Sequence, residues 1–187
     1  MKIYFLFLVT CLFLFHANFV YAKENHSDLL EKSTNITDEI KYDFPSIQNK
    51  KITIDIKKIN EGSAEAKKYP IKGYVIVIDP EKLQNVSYFE LKGLFAHEFS
   101  HLEQYSKMSW LQLGFFAILY SVSDDFKKRV ERKTDMTVIE KGFGRELLAF
   151  REYRLRTGSE QDKKALIDHY LSLEEIRNLT KTSQFYK

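Results

Sequence analysis

Cysteine is nearly absent from this chain, whose 187 residues include only Cys11. Cys11 lies within an N-terminal segment that we expect to be removed from the mature protein. The mature chain would then contain neither a disulfide bond nor a free thiol. Both a disulfide-stabilised fold and cysteine-based catalysis are therefore excluded.

Residues 1–22 have the pattern of a secretory signal peptide. Lys2 precedes an apolar run at residues 3–15, and Val20 and Ala22 occupy the −3 and −1 positions of a cleavage site. The apolar run is too short to span a membrane comfortably. We therefore expect cleavage after Ala22 and a secreted or periplasmic protein, with an uncleaved N-terminal anchor as the alternative.

The chain also lacks a large excess of either charge. Lysine and arginine number 29 against 26 aspartate and glutamate residues, which gives a formal net charge of +3. No block of basic residues alternates with aromatic residues, so neither nucleic acid nor an acidic partner is indicated. Apolar residues make up 44% and charged residues 29% of the chain, as in an ordinary globular protein of one domain.

The mature chain begins with a polar part that is followed by two predicted strands. Residues 23–50 show no sustained period and predict a flexible lead-in or a prosegment, ahead of a single domain at residues 51–187. Isoleucines alternate with polar residues over 52–56, as in a half-buried strand. After a polar turn, residues 73–79 form a nearly continuous β-branched run, which predicts a better buried strand.

Helical patterns fill the rest of the sequence. Ser87 and Glu90 form a capping box, which predicts a helix over residues 88–105 whose core face consists of Leu91, Phe95, Phe99 and Leu102. Further helices are predicted to begin near Ser123, Arg145, Ser159 and Ser172. Because the strands precede the helices and do not alternate with them, we expect an α+β fold.

Histidine is scarce, yet His97 and His101 lie four residues apart in the pattern H-E-x-x-H. This spacing puts both side chains on one side of a helix, where two imidazole nitrogens can bind one zinc ion. Glu98 lies one residue around the helix, so its carboxylate can activate a zinc-bound water without binding the metal. The pattern predicts two ligands and a base, with a pair of solvated surface histidines as the alternative.

A catalytic zinc site needs a third protein ligand. The metzincin pattern has a third histidine six residues beyond the second, but Lys107 occupies that position. We therefore expect an acidic ligand and assign Glu131, because Asp135 follows it by four residues on the same helix face. Asp135 would accept the free N–H of His97 or His101 and fix the orientation of that ligand. An ordinary charged helix surface is the alternative.

The H-E-x-x-H pattern followed by Glu131 and Asp135 resembles the gluzincin zinc metallopeptidases, in particular minigluzincins and soluble relatives of the CAAX prenyl protease. The resemblance covers about residues 71–142. It implies a zincin-like fold, with Glu131 as the third zinc ligand and Asp135 as the support of a ligand histidine. It also implies an edge strand before the active-site helix that pairs with the substrate backbone, a role for residues 73–79 in this chain.

These features predict a secreted or periplasmic zinc endopeptidase that acts on a protein or peptide. The chain departs from the CAAX-protease relatives at Thr134, where they usually have alanine. His169 and Tyr170 are candidates, by residue type, for stabilising the transition state. The alternative function is a zinc-binding but inactive or zymogen-like interaction module of the same fold, with residues 23–50 occupying the cleft.

Residues 110–122 form a dense apolar run that contains Gln112 and Gly114. The run is shorter than the ~20 residues that span a membrane. A buried core helix is the favoured interpretation. The alternatives are a segment that lies at a membrane surface, with Trp110 and Tyr120 at its ends, and an apolar cover over the cleft.

Overall fold

The computed structural model describes residues 26–183. Helix α1 covers residues 26–40 and continues into a short 3-10 turn at Lys41–Asp43. Three strands follow, which are β1 (Ile52–Ile56), β2 (Ala64–Tyr69) and β3 (Gly73–Ile78). The remaining helices are α2 (Tyr88–Ser106), α3 (Trp110–Val122), α4 (Asp124–Glu140), α5 (Gly144–Thr157), α6 (Glu160–His169) and α7 (Leu173–Thr182). The predicted signal peptide, residues 1–22, lies outside the described residues.

The predicted α+β class is confirmed, since a small three-stranded sheet precedes a mostly helical C-terminal part. Each of the helices α2, α3, α4, α6 and α7 begins directly after a serine that caps it, whereas α5 begins after Phe143 without a side-chain cap. The Ser87 hydroxyl accepts a hydrogen bond from the Glu90 backbone N–H, and the Glu90 carboxylate accepts one from the Ser87 N–H. Ser172 and Glu175 make the same pair of bonds at the start of α7. These bonds satisfy backbone donors that the first helical turn leaves free.

The sheet has the strand order β1-β3-β2, so β3 is the central strand. It pairs in parallel with β1 and antiparallel with β2, and it is buried from Tyr74 to Ile78. The expectation that residues 73–79 form an edge strand is therefore wrong. The edge beside α2 is β2, within the segment that was expected to be a polar turn. Its sequence, AEAKKY, has no fully buried residue and carries two lysines, which are common on edge strands because charge discourages pairing with another chain.

Residues 26–47 pack into the core, in contrast to the flexible lead-in that their polarity suggested. Leu29, Ile36 and Ile40 of α1 are buried, as are Phe44 and Ile47 after it. These positions have helical spacing, but Ser33 lies in the same buried row and charged residues cover the rest of the helix. The apolar stripe is therefore interrupted, and the pattern was too weak to detect in the sequence.

A chain that begins at Lys50 is expected to unfold. It would lose five large buried side chains, each worth about 1.5–3 kcal/mol, or roughly 8–15 kcal/mol together, against a typical domain stability of about 5–15 kcal/mol. Thermal melts followed by circular dichroism would compare it with a chain that begins at Lys23. A cooperative melt of the shorter chain at an unchanged temperature would contradict this expectation and indicate a removable prosegment.

Helix α2 lies at the centre of the fold and is buried on nearly every side. Leu91, Phe95, Phe99 and Leu102, its predicted core face, are fully buried. On another side, a Cβ atom added to Gly93 would lie 2.1 Å from the Glu146 carbonyl oxygen of α5, so the two helix backbones nearly touch there. Close packing on both sides leaves His97, Glu98 and His101 buried as well.

Helix α3 forms at the predicted residues, but it is not the core helix that the sequence analysis favoured. Phe116 is its only buried side chain. Leu113, Phe116, Ala117 and Tyr120 face inward and line a cleft, so α3 is an apolar cover over that cleft. Apolar residues lie on all sides of this helix, so its sequence alone does not indicate how much of the helix surface is buried. Within residues 26–183, none of the helices has the length and hydrophobicity of a membrane-spanning segment.

Candidate metal centre

His97 and His101 of α2 and Glu131 of α4 bring three ligand atoms together inside the protein. The Nε2 atom of His97 lies 3.0 Å from Oε2 of Glu131 and 3.1 Å from Nε2 of His101. Oε2 of Glu131 lies 3.5 Å from Nε2 of His101. All three residues are buried, and their ligand atoms lie within 4.8 Å of one another. The structure thus assembles a group that could hold a metal ion.

The protonation of these groups fits a cation between them. His97 donates its Nδ1–H to Oδ1 of Asp135 at 2.9 Å, which leaves a lone pair on Nε2 in the neutral ring. That lone pair faces the Glu131 carboxylate and the second imidazole. Electron-pair donors at such distances repel one another unless a cation lies between them. Two imidazole nitrogens and one carboxylate oxygen also form a donor set that zinc accepts.

Without a metal, a proton on His97 supplies the positive charge. Burial lowers the pKa of His97, but hydrogen bonds to Asp135 and Glu131 outweigh burial and raise it to about 9. Burial raises the pKa of Glu131, yet the charges and hydrogen bonds of His101 and His97 hold that pKa well below its usual range. Metal binding must therefore displace a proton, and metal affinity should fall as the solution becomes acidic.

Asp135 is buried behind His97, where it holds the ring in one orientation. Besides the His97 contact, its carboxylate accepts hydrogen bonds from the Arg151 guanidinium at 2.6 Å and from the Leu171 backbone N–H at 3.1 Å. Burial raises the pKa of Asp135, but Arg151 and His97 outweigh it and lower the pKa. Asp135 is therefore an anion that fixes the His97 tautomer. No sequence pattern distinguished Arg151 from the other arginines of α5.

Replacement of Asp135 by asparagine is expected to weaken metal binding by about 10–100-fold, the usual cost of losing a partner that orients a ligand histidine. A neutral amide can no longer hold the Nδ1 proton of His97 electrostatically. Competition with a chromophoric chelator would measure the affinity, and a melt of the metal-free protein would report the separate effect of leaving Arg151 without its partner. Asp162→Asn is the matched control, since Asp162 is partly buried and paired with Arg154. Equal affinities in both variants would contradict the assigned role.

Glu98 is buried beside the two histidines but outside the group of ligand atoms. Burial raises its pKa, and the neighbouring histidine charges oppose the rise. The Ala66 backbone of β2 makes a hydrogen bond to its carboxyl group. A raised pKa brings a carboxyl group closer to the range in which it exchanges protons at neutral pH. Glu98 is therefore suited to carry a proton near the metal ligands.

The metal-ligand group opens into a cleft of about 440 Å³. Residues 64–69 of β2 form one wall, and the inner face of α3 forms another. Tyr105 and Tyr170 complete the lining beside Glu98 and the three ligand residues. None of the described residues 26–50 lines this cleft, so that part of the predicted lead-in does not occupy it.

Tyrosines surround the ligands, although the sequence pattern pointed to only one of them. The Tyr170 ring centroid lies 5.8 Å from that of His97, and the Arg151 guanidinium lies 4.2 Å from the Tyr170 ring. The Tyr120 hydroxyl of α3 donates a hydrogen bond to Oε1 of Glu131. His169, the other candidate by residue type, instead contacts the Ala165 carbonyl oxygen at 3.1 Å and does not line the cleft.

Comparison of the chain with protein-family models, with curated proteins and with solved structures finds no match in any of the three. The functional conclusion therefore depends on the geometry of the cleft and on the chemistry of its residues. Those observations assign a buried group of two histidines and one glutamate that could hold a metal ion, with a further glutamate beside it.

Proposed function

We propose that the protein is a zinc-dependent endopeptidase of the gluzincin type with a zincin-like fold. The observation that carries this proposal is the convergence of His97, His101 and Glu131 at the wall of an open cleft, with Glu98 beside them and outside the ligand group. A metal site with a structural role is closed by four protein ligands, whereas residues 26–183 bring three together here, and these three border the cleft.

Zinc is the metal we infer, because two imidazoles and one carboxylate are the ligands of several catalytic zinc sites. Bound there, zinc would polarise a peptide carbonyl and lower the pKa of a coordinated water to roughly 7. Side chains of the protein hold the metal ligands in position. Asp135 keeps the Nδ1 proton of His97 in place, so that Nε2 is available as a ligand.

Glu98 acts as the proton carrier in this mechanism. Its carboxylate takes a proton from the attacking water as the water oxygen bonds to the carbonyl carbon of the peptide. Glu98 then gives that proton to the amide nitrogen as the carbon–nitrogen bond breaks, which releases an amine and a carboxylic acid. The raised pKa of Glu98 favours both transfers because the protonated and ionised forms are then closer in free energy.

The substrate binds as an extended peptide along β2. One side of this strand pairs with β3, and no strand among the described residues pairs with the other side. An extended peptide can therefore add to the free edge through backbone hydrogen bonds. Leu113, Phe116 and Ala117 lie across the cleft from β2 and favour apolar substrate side chains. The substrate-pairing role thus belongs to β2 in place of β3.

The alternative function is a zinc-binding module that is inactive or has the character of a zymogen. One contact favours it: the Tyr120 hydroxyl of α3 bonds the metal-ligand Glu131 and draws the apolar cover toward the site. For both functions, we expect the chain to be cleaved after Ala22 and the mature protein to be secreted or periplasmic. The two functions differ in whether the cleft admits a peptide.

The proposal is tested on a purified chain that begins at Lys23. We expect one zinc ion per chain by elemental analysis and hydrolysis of an unfolded protein such as casein. A chelator should abolish hydrolysis, and added zinc should restore it. Bound zinc with no hydrolysis of any unfolded protein would favour the inactive module, whereas a chain that binds no zinc would contradict both functions.

A further inference from the structure

Helix α3 presents a large apolar face to solvent. We define the α3 surface as the exposed apolar side chains of this helix, which are Trp110, Leu111, Phe115, Ile118, Leu119 and Val122. Soluble proteins rarely leave so many neighbouring large apolar side chains without a partner. The opposite face of α3 lines the cleft, and the part of the chain that the structure describes leaves the α3 surface exposed.

The hairpin between β2 and β3 adds to this apolar area. Its Ile71 is 99% exposed. The Lys68 ammonium group donates hydrogen bonds to the carbonyl oxygens of Tyr105 and Met108, both at 2.9 Å, and lies 4.9 Å from the Trp110 ring centroid. These contacts hold the end of β2 beside the first turn of α3. Lys68, near the end of β2 and three residues before Ile71, therefore lies at the Trp110 end of the α3 surface.

Charge is arranged unevenly around the α3 surface. Residues 108–123 contain no charged side chain. At the Trp110 end, Lys72 and Lys107 are exposed, and neither makes an ion pair among the described residues. At the other end, acidic residues at 124 and 125 are followed by three basic residues at 127–129. Both signs of charge are therefore present at the Val122 end, whereas the exposed lysines at the Trp110 end have no acidic partner among the described residues.

We propose that the α3 surface docks on a lipid membrane that carries anionic headgroups. A 13-residue helix is only ~20 Å long, too short to cross a hydrocarbon layer of ~30 Å, so α3 lies in the plane of the interface. Tryptophan prefers the headgroup region, and lysines near it attract anionic lipids. Protein–protein interfaces are depleted in lysine, which favours a lipid surface over a second copy of the chain.

Docking would bring the cleft close to the membrane, because one face of α3 would contact the lipid while the opposite face lines the cleft. Phe116 and Tyr120 on the inner face line the cleft, less than one helix diameter, ~10 Å, from the lipid side. If the proposed function is correct, the substrates are then extended segments of membrane-bound proteins near the bilayer surface. The docking itself does not depend on hydrolysis or on the metal.

Trp110 makes the proposal directly measurable, since it is the only tryptophan of the chain. The metal-loaded protein is titrated with vesicles of phosphatidylcholine that contain phosphatidylserine. We expect the Trp110 emission to shift to shorter wavelength and the protein to sediment with the vesicles. Vesicles of phosphatidylcholine alone should bind at least about tenfold more weakly, and added salt should weaken binding to the anionic vesicles. If the protein bound both types of vesicle equally, the proposed attraction between the lysines and anionic headgroups would be wrong.

The variants test which surface is responsible. Phe115→Ser together with Ile118→Ser should reduce vesicle binding by at least about tenfold, because two apolar side chains no longer enter the lipid. Ile167→Ser is the matched control: Ile167 of α6 is 73% exposed, close to the 72% of Leu111, and should not affect binding. The zinc content of each variant separates a failure of docking from a failure of the proposed function.

Three outcomes would overturn the proposal. The first is unchanged Trp110 emission with every vesicle, and the second is equal vesicle binding by the double variant and the wild-type protein. The third is a concentration-dependent dimer in sedimentation without lipid that is lost in the double variant but kept in Ile167→Ser. That dimer would show that a second copy of the chain covers the α3 surface.

Discussion

Replacement of Glu98 by glutamine is expected to lower kcat/KM for peptide hydrolysis by roughly 10²–10⁴-fold, the usual contribution of a positioned acid–base group. The zinc content should stay at the wild-type value, because Glu98 lies outside the ligand group of His97, His101 and Glu131. Glutamine keeps the size of the side chain but cannot accept a proton from water. Hydrolysis rates and elemental analysis of the same sample would measure both quantities.

Glu103→Gln is the matched control for this experiment. Glu103 lies on the same helix and is also buried, but its carboxylate pairs with the Lys141 ammonium at 3.2 Å and does not line the cleft. We expect this variant to keep both its zinc and its activity. If Glu98→Gln cleaved an unfolded protein as fast as the wild-type chain, the proposed mechanism would be wrong.

Replacement of Glu131 by alanine is expected to remove the metal. Losing one of three ligands should cost more than losing a residue that only orients a ligand, so we expect zinc affinity to fall by more than about 100-fold. Zinc at a concentration 100 times the Kd should increase the free energy of unfolding of the wild-type protein by about 2.7 kcal/mol. Its melting temperature should therefore rise when zinc is added. Calorimetry of the Glu131→Ala protein should show no such shift.

Glu140→Ala is the control on the same helix, since Glu140 is exposed at the end of α4. It should keep both the zinc and the stabilisation. Unchanged zinc in Glu131→Ala would mean that another side chain is the third ligand. Loss of zinc together with loss of the cooperative melt would instead point to a folding defect. A melt in the presence of chelator is therefore part of the measurement.

Local features of the chain were predictable because they depend on residues close in sequence. Capping boxes locate a helix start through bonds that span only three residues, as at Ser87 and Ser172. The spacing of His97 and His101 fixes their common side of α2 for the same reason. Glu131 required a longer inference, in which the pattern of a zinc site was matched to the few residues able to complete it.

Other features depend on which part of the protein packs against a segment. The sequence contains little information about such contacts. Polar residues concealed β2, an edge strand in which no residue is fully buried and which carries lysines, as edge strands often do. Ser33 interrupted the apolar row of α1, which nevertheless packs into the core. Arg151 and Tyr120 reach the site from α5 and α3, and no local pattern distinguishes them from other residues of their type.

The sequence by itself determined the α+β class, the starts of helices α2 to α7 and the residues with the chemistry to bind a metal, since all of these follow from local periodicity and side-chain type. Only the tertiary structure decided that β2 is the edge beside the cleft and that α3 covers it with one face. Burial is a property of two surfaces in contact, so a uniformly apolar segment such as 110–122 cannot reveal which of its faces will be covered.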